Sequence, residues 1–221
     1  MITIKIGGSL IGNARNLVST LHEYALTNDE RILIVPGGGI FADTVRTASR
    51  AHGISDEAAH WMAILAMDQY AHYLTDGTPA RLVTGIADIP SIRAGATVLL
   101  VYDLLKKSES ESRSTNESGI GIGITHTWNA TSDTIAGWIA SQLDATLIKA
   151  TDVDGILRNG AQLPEITASE LITMGETCVD PELPGLLLAR SMNCRVVNGK
   201  NPDHVIDAIK GISRGTLIIG Q

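Results

Sequence analysis

Two glycine-rich turns carry the clearest chemistry in this chain: Ile4-Lys5-Ile6-Gly7-Gly8-Ser9 and Ile34-Val35-Pro36-Gly37-Gly38-Gly39 each close an apolar run and open into a helix-like segment. At such a turn the backbone N–H groups have no intrachain acceptor and the helix dipole adds partial positive charge, so an anion can approach the bare backbone. Two turns of this kind suggest two phosphates. The glycines do not spell a Walker loop, because Gly199-Lys200 is followed by Asn201 and the motif needs Ser or Thr there. Gly37-Gly38-Gly39-Ile40-Phe41-Ala42 does fit the dinucleotide pattern G-x-G-x-x-A. The acid that should end the next strand is out of place, however, since Asp56 and Glu57 open a helix. A nicotinamide-dependent enzyme is therefore the weaker reading. Six scattered histidines and two cysteines, Cys178 and Cys194, make neither a zinc cluster nor a disulfide framework.

The elements that must position these turns alternate. Short runs rich in Ile, Val and Leu at Ile2–Ile6, Arg31–Val35, Thr97–Val101, Ala145–Ala150, Arg195–Asn198 and Thr216–Ile219 read as strands buried on both faces. Helical spacing fills Asn13–Thr27, Phe41–Ala51, Asp56–Leu74 with Ser55 as N-cap, Thr131–Leu143, Pro181–Met192 after Asp180, and Pro202–Lys210 after Asn201. Strand and helix in alternation imply a mainly parallel sheet covered on both faces, a three-layer αβα sandwich, here as one domain over 1–221. Residues 106–119, KKSESESRSTNESG, have the composition of an exposed or mobile loop. A net charge of −7 without a basic cluster argues against nucleic acid and an anionic membrane surface. With no apolar signal core or membrane span, the expectation is a soluble cytoplasmic protein acting on a small molecule.

Two further segments turn these expectations into a family resemblance. Trp128-Asn129-Ala130-Thr131-Ser132-Asp133 enters a helix of small residues, and Lys149-Ala150-Thr151-Asp152-Val153-Asp154-Gly155-Ile156 ends a strand. With K-x-G-G-S, P-G-G-G and Val196-Val197-Asn198-Gly199, they resemble the amino acid kinase family in five motifs, in order, over essentially the whole chain. The resemblance implies the carbamate kinase-like fold, ATP with magnesium, and phosphoryl transfer. Within the family the likeness is closest to the methanofuran-biosynthesis branch, whose acceptor is an aminomethylfuran-methyl phosphate. Uridylate and isopentenyl phosphate kinases, or a silent oxyanion-binding protein of the same fold, are the alternatives.

What the resemblance implies can be stated residue by residue. Lys5 contacts the transferred phosphoryl group. Asp133 organises the lysines around the phosphates, and Lys149 reaches the nucleotide phosphates. Gly7, Gly8, Ser9, Thr151, Asp152, Asp154 and Gly155 bind the nucleotide. Gly37, Gly38 and Gly39, with Arg46 and Trp128, receive the phosphorylated acceptor. Magnesium rides on ATP through water, so no cage of carboxylates is expected. A second catalytic lysine, which acetylglutamate-type members carry before the late helix, is replaced here by Asp180 and Glu182. Lys149, Arg190 or Lys200 would have to supply its charge. Asp68, inside an otherwise apolar helix, pairs with a substrate ammonium or faces water. His60 and Trp128 are candidates for packing against a flat ring. Family members form dimers or larger homo-oligomers, and the helix Ala58–Tyr73 is the expected contact.

Overall fold

Alternation within the first strand explains both the sheet and the site. In β1 (Ile2–Ile6), Ile2, Ile4 and Ile6 pack on one face with Leu17, Leu21 and Ala25 of helix α1 (Ala14–Thr27). Thr3 and Lys5 therefore point to the other face, because successive side chains on a strand alternate. That second face also carries Leu33 and Val35 of β2 (Arg31–Pro36) and packs against Ile135 and Ile139 of α5 (Ser132–Gln142). The structure, a computed structural model, describes every residue except 87, 88, 90–92 and 116–126, and every described side chain except those of 112–115.

The remaining strands are β3 (Arg81–Val83), β4 (Gly95–Leu99), β5 (Thr146–Thr151), β6 (Leu157–Arg158), β7 (Ala161–Gln162), β8 (Glu165–Thr167), β9 (Cys194–Asn198) and β10 (Thr216–Ile219). Eight of them form one sheet in the order β3-β4-β2-β1-β5-β9-β10-β8, while β6 and β7 pair as a separate ribbon. Every pairing in the large sheet is parallel except β9 with β10. From β1 the chain moves outward to β2 and its neighbours, and only later returns to place β5 on the other side. That reversal leaves a crevice beyond the carboxyl ends of β1, β2 and β5, where open α/β sheets take ligands. The two glycine turns lie there.

The mainly parallel αβα architecture and the six expected strands are present. Ser55 and Asn201 cap their helices as expected: Ser55 accepts from the Ala58 N–H at the start of α3 (Asp56–Thr75), and Asn201 from the Asp203 N–H at the start of α8 (Pro202–Ile209). Helix α2 spans Gly39–His52.

Two expectations are corrected. Residues 106–115 are not loop but the body of α4 (Tyr102–Thr115), and only 116–119 of that expected loop lie outside the described residues. The helix is pinned at its start by the carboxylate of Asp68, which accepts from the Val101 N–H at 2.6 Å and the Tyr102 N–H at 3.3 Å. Asp68 is thus a cap for a neighbouring element, and burial raises its pKa above the ordinary value. The late helix α7 covers Leu183–Arg190 rather than starting at Pro181. Asp180 still accepts the Leu183 N–H at 2.9 Å, so it caps from three residues upstream of the first helical residue. Short α6 (Ala168–Thr173), with its Thr167/Glu170 capping box, was not foreseen.

Candidate active site

Parallel pairing sets Lys5 of β1 directly beside Lys149 of β5 on the same face of the sheet. Two ammonium groups on neighbouring strands repel, and both are nearly excluded from solvent, at 7% and 4% exposure. An anion must lie between them, and Asp133, in the first turn of α5, supplies it. Its Oδ1 lies 2.7 Å from Lys5 Nζ, and its Oδ2 takes the Lys149 ammonium. These three buried charges sum to +1, and the neighbouring buried carboxylate of Asp180 also acts on Lys5.

The titrations follow from that arrangement. Burial alone would raise the Asp133 carboxyl, but the two ammonium groups outweigh it and hold Asp133 well below the usual carboxylate range. For Lys149 burial works downward and is overcome by Asp133, so its pKa is raised. Lys5 goes the other way: burial is the largest influence, and with the adjacent Lys149 it outweighs Asp133, leaving the Lys5 pKa lowered. Lys5 is the less satisfied cation of the pair, and an arriving phosphate would complete its partners. Burial also pushes the Cys194 thiol up to about 12, as befits a structural cysteine.

A clasp from the 178–180 segment fixes the cluster. The Cys178 carbonyl accepts from Lys149 Nζ, and the Asp180 N–H donates to Asp133 Oδ2 at 3.1 Å. The Asp180 carboxylate accepts from the Thr131 N–H (2.9 Å), the Thr131 hydroxyl (2.9 Å), the Thr134 N–H (2.9 Å), the Thr134 hydroxyl (2.5 Å) and the Leu183 N–H (2.9 Å). With five donors and 7% exposure, Asp180 faces inward and ties the start of α5 to α7. Sequence reasoning treated it as a cap and as one of the acids standing in place of a second catalytic lysine. The cross-element ties could not be read, because Thr131 and Thr134 lie 46 to 49 residues away in sequence. Of the three groups considered for the absent second lysine's charge, Lys149 is in the cluster, whereas Arg190 and Lys200 are exposed.

The glycine turns meet backbone to backbone. A Cβ on Gly8 would stand 2.1 Å from the Gly39 Cα, and Gly39 itself has φ +52°, a conformation that favours glycine. Tight packing and access for an anion thus require the same residues. Gly8→Ala must push the turns apart and is expected to cost about 1–3 kcal/mol. Urea unfolding should show this, with activity falling further than stability explains. Beyond the turn, the Gly39, Ile40 and Phe41 N–H groups open α2 without intrahelical acceptors.

On one side lies the expected nucleotide region. A hydrogen bond from the Ser9 hydroxyl is the main cause holding Asp152 below its ordinary pKa. Gly7 donates to the Ala150 carbonyl at 2.9 Å, and Thr151 is buried at the end of β5. Asp154 accepts from Asn198 Nδ2 at 2.8 Å. Gly155 turns inward, where a Cβ would meet Thr216 Oγ1 at 2.4 Å. On the other side is a cleft of 480 Å³ between α2, α3 and the entrance to α5. Gly38, Gly39, Arg46 and Trp128 line it. Gly37 lies beneath, donating to the Ile6 carbonyl at 2.8 Å. Arg46 is held by Asp43 at 2.6 Å and lies over the Trp128 ring at 4.8 Å. Four lining residues that the sequence reading did not assign to the site, Asp43, Asp56, Ile64 and Met67, share this cleft with His60. Among the described residues no group of three or more His, Cys, Asp or Glu side chains is arranged to hold a metal ion. Nor is any helix long and apolar enough to cross a membrane.

Comparison with known proteins agrees with this architecture. Residues 1–198 match the amino acid kinase family. The chain is 36% identical over 219 residues to the [5-(aminomethyl)furan-3-yl]methyl phosphate kinase of Methanocaldococcus jannaschii, covering 96% of this chain and 94% of that protein. It is 24% identical to a uridylate kinase of Archaeoglobus fulgidus, covering 98% and 99% of the two chains. The crystal structure of Archaeoglobus fulgidus uridylate kinase superposes with a TM-score of 0.71 at 18% identity, over 99% of this chain and 100% of that one. UMP kinase from Bacillus anthracis gives 0.67 at 14%, over 100% and 96%.

Proposed function

The chain belongs to the amino acid kinase family, and from that premise we propose that it transfers the γ-phosphoryl group of ATP to a small phosphomonoester, [5-(aminomethyl)furan-3-yl]methyl phosphate, forming the diphosphate. The observation that carries this reading is the buried Lys5–Asp133–Lys149 cluster beside two glycine turns. Two buried ammonium groups held at fixed positions away from water suit a step in which charge spreads over the equatorial phosphoryl oxygens.

The chemistry also bears on the acceptor. Asp133 is held well below the carboxylate range, which makes it a poor general base near neutral pH. An alcohol acceptor would need its proton removed, whereas a phosphate monoester, with a second pKa of about 6, arrives already ionised. One of its oxygens attacks the γ-phosphorus. The bond from that phosphorus to the β,γ-bridging oxygen breaks, and ADP leaves with the electron pair. Lys5 and the free N–H groups of the glycine turns would hold the moving group. Lys149 would hold the nucleotide phosphates, and Ser9, Thr151, Asp152 and Asp154 the remainder of the nucleotide. Magnesium carried on the nucleotide neutralises phosphate charge when bound. Arg46, flattened on Trp128, presents a planar donor fork to the acceptor phosphate. The protein would act as a homo-oligomer in the cytoplasm; Met62 and Leu65, exposed on α3, give a second copy an apolar contact.

The test is product analysis with ATP, magnesium and a panel of the furan phosphate, uridylate, isopentenyl phosphate, carbamate and acetylglutamate. Turnover confined to the furan phosphate is expected. Turnover of another acceptor instead would discard this substrate. A pH profile adds a residue-level check. The lowered Lys5 pKa means the free enzyme loses that charge at a pH below the ordinary lysine value of about 10.4. The alkaline limb of kcat/KM for ATP should lie below that value. In Lys5→Arg, which stays protonated, it should move upward; an unmoved limb would assign it to another group.

A further inference from the structure

Gly7 and Gly8 have no side chains to fix the peptide between them, and glycine is the residue whose backbone turns most freely. A donor that stabilises a transferring phosphoryl group has to be aimed before the charge develops. The hold on this peptide comes from α3. Tyr70, fully buried, donates its hydroxyl to the Gly7 carbonyl at 3.3 Å, and the Leu10 N–H donates to the same oxygen at 3.1 Å. The phenol ring is itself fixed, with the Phe41 ring 6.4 Å away on one side and the Tyr73 ring stacked at 5.9 Å. Burial raises the Tyr70 pKa far above the ordinary tyrosine value, so the hydroxyl remains a donor at any working pH.

The direction of the neighbouring N–H follows. The chain has no cis peptide bond, and in a trans peptide the N–H points opposite to the C=O. Tyr70 packs with Ile4 and Ile6 on the α1 side of β1, whereas Lys5 points to the other side, where it meets Asp133. With the Gly7 carbonyl turned toward Tyr70, the Gly8 N–H is turned toward the side that holds Lys5. Gly8 opens a single 3-10 turn, Gly8–Leu10, and its N–H has no acceptor among the described residues.

We propose that Tyr70 is a positioning residue for phosphoryl transfer: by holding the Gly7 carbonyl it aims the Gly8 N–H at the transferred group, which Tyr70 itself does not touch. This rests on the kinase reading above and adds to it a residue outside the first contacts. Lys5 supplies charge, and Tyr70 supplies direction. An N–H aimed in this way gains most as negative charge builds on the phosphoryl oxygens, so its loss should appear in kcat rather than in KM. Tyr73 provides the internal control. One turn along α3 it donates to the Ile11 carbonyl at 2.9 Å, a bond of the same kind to a peptide beyond the glycine pair.

The experiment is steady-state kinetics of wild type, Tyr70→Phe and Tyr73→Phe with ATP, magnesium and whichever phosphomonoester wild type turns over, alongside their melting temperatures. Tyr70→Phe keeps the ring and removes only the hydroxyl. It should lower kcat by about tenfold and leave both KM values within about twofold. Tyr73→Phe should lose a similar amount of melting temperature and keep its kcat. A second reading needs no turnover: with ADP, magnesium and aluminium fluoride as a mimic of the transferred group, the Gly8 amide proton resonance should move downfield in wild type and by less in Tyr70→Phe. An unchanged kcat in Tyr70→Phe, equal kcat losses in the two variants, a loss carried by KM, or equal movement of the Gly8 resonance would overturn the proposal. A wild type that turns over no phosphomonoester would remove the kinase reading and Tyr70's role together, an outcome distinct from an active enzyme indifferent to Tyr70→Phe.

Discussion

Replacing Lys5 with methionine is expected to lower kcat by about a thousandfold while leaving the melting temperature unchanged or a few degrees higher. The two effects share one cause. In the free protein Lys5 and Lys149 share the single carboxylate of Asp133 as their ion-pair partner, with the buried Asp180 acting on Lys5 only more weakly. Burial and the neighbouring lysine both press the Lys5 pKa down. Methionine fills similar space without the desolvation cost and leaves Asp133 paired with Lys149. The activity falls because the transferred phosphoryl group loses its buried cation. Thermal unfolding read beside steady-state kinetics checks both halves; a large loss of stability would mean that Lys5 holds the fold rather than the phosphate. ATP should also raise the melting temperature of wild type more than that of the variant.

Asp133→Asn should behave in the opposite sense, losing about 3–5 kcal/mol of stability together with activity. It leaves two buried ammonium groups side by side with no anion between them, and it weakens the acceptor for the Asp180 N–H. For a chain of this length the melting temperature should fall by roughly 10 °C. The pH dependence has a definite sign. The Asp133 carboxyl is depressed in the folded state, so its stabilisation is fully present above the ordinary carboxylate pKa of about 3.9 and is lost only as pH falls toward the lower folded value. The gap between wild type and Asp133→Asn should stay constant from pH 7 to about pH 5 and close in strong acid. Adding Lys5→Met to Asp133→Asn should recover part of the lost stability, because one of the two stranded cations is gone. A double mutant less stable than either parent would contradict the charge balance described here.

Much of the scaffold was legible because its strands are apolar and its turns are glycine. β1, β2, β5, β9 and β10 begin and end within a residue of their expected bounds, since a strand buried on both faces leaves a continuous apolar run. Lys5 and Lys149 stood out as charges at the ends of such runs, and the structure pairs them in register. Asp180 was half legible. Its capping of Leu183 is local and readable, but its ties to Thr131 and Thr134 depend on the packing of α5 against α7, which no short window contains. Helix α4 was misread for a different reason. Its buried residue Leu105 lies near its start, and the Lys106–Glu111 stretch that follows contains no apolar residue to mark a buried face. What nucleates it is Asp68 from another helix, with Lys107 and Glu111 4.0 Å apart adding little. Arg46 was expected to be free for phosphate; it is shared with Asp43 one turn earlier, a spacing visible in the sequence once the helix is placed.

The most direct test of the central claim is phosphorus NMR of wild type and Lys5→Met incubated with ATP, magnesium and [5-(aminomethyl)furan-3-yl]methyl phosphate. The account predicts that wild type forms ADP and the organic diphosphate in equal amounts, and that Lys5→Met, folded and no less stable, forms almost none. Hydrolysis of ATP to free phosphate without a diphosphate, or equal diphosphate formation by the two proteins, would contradict it.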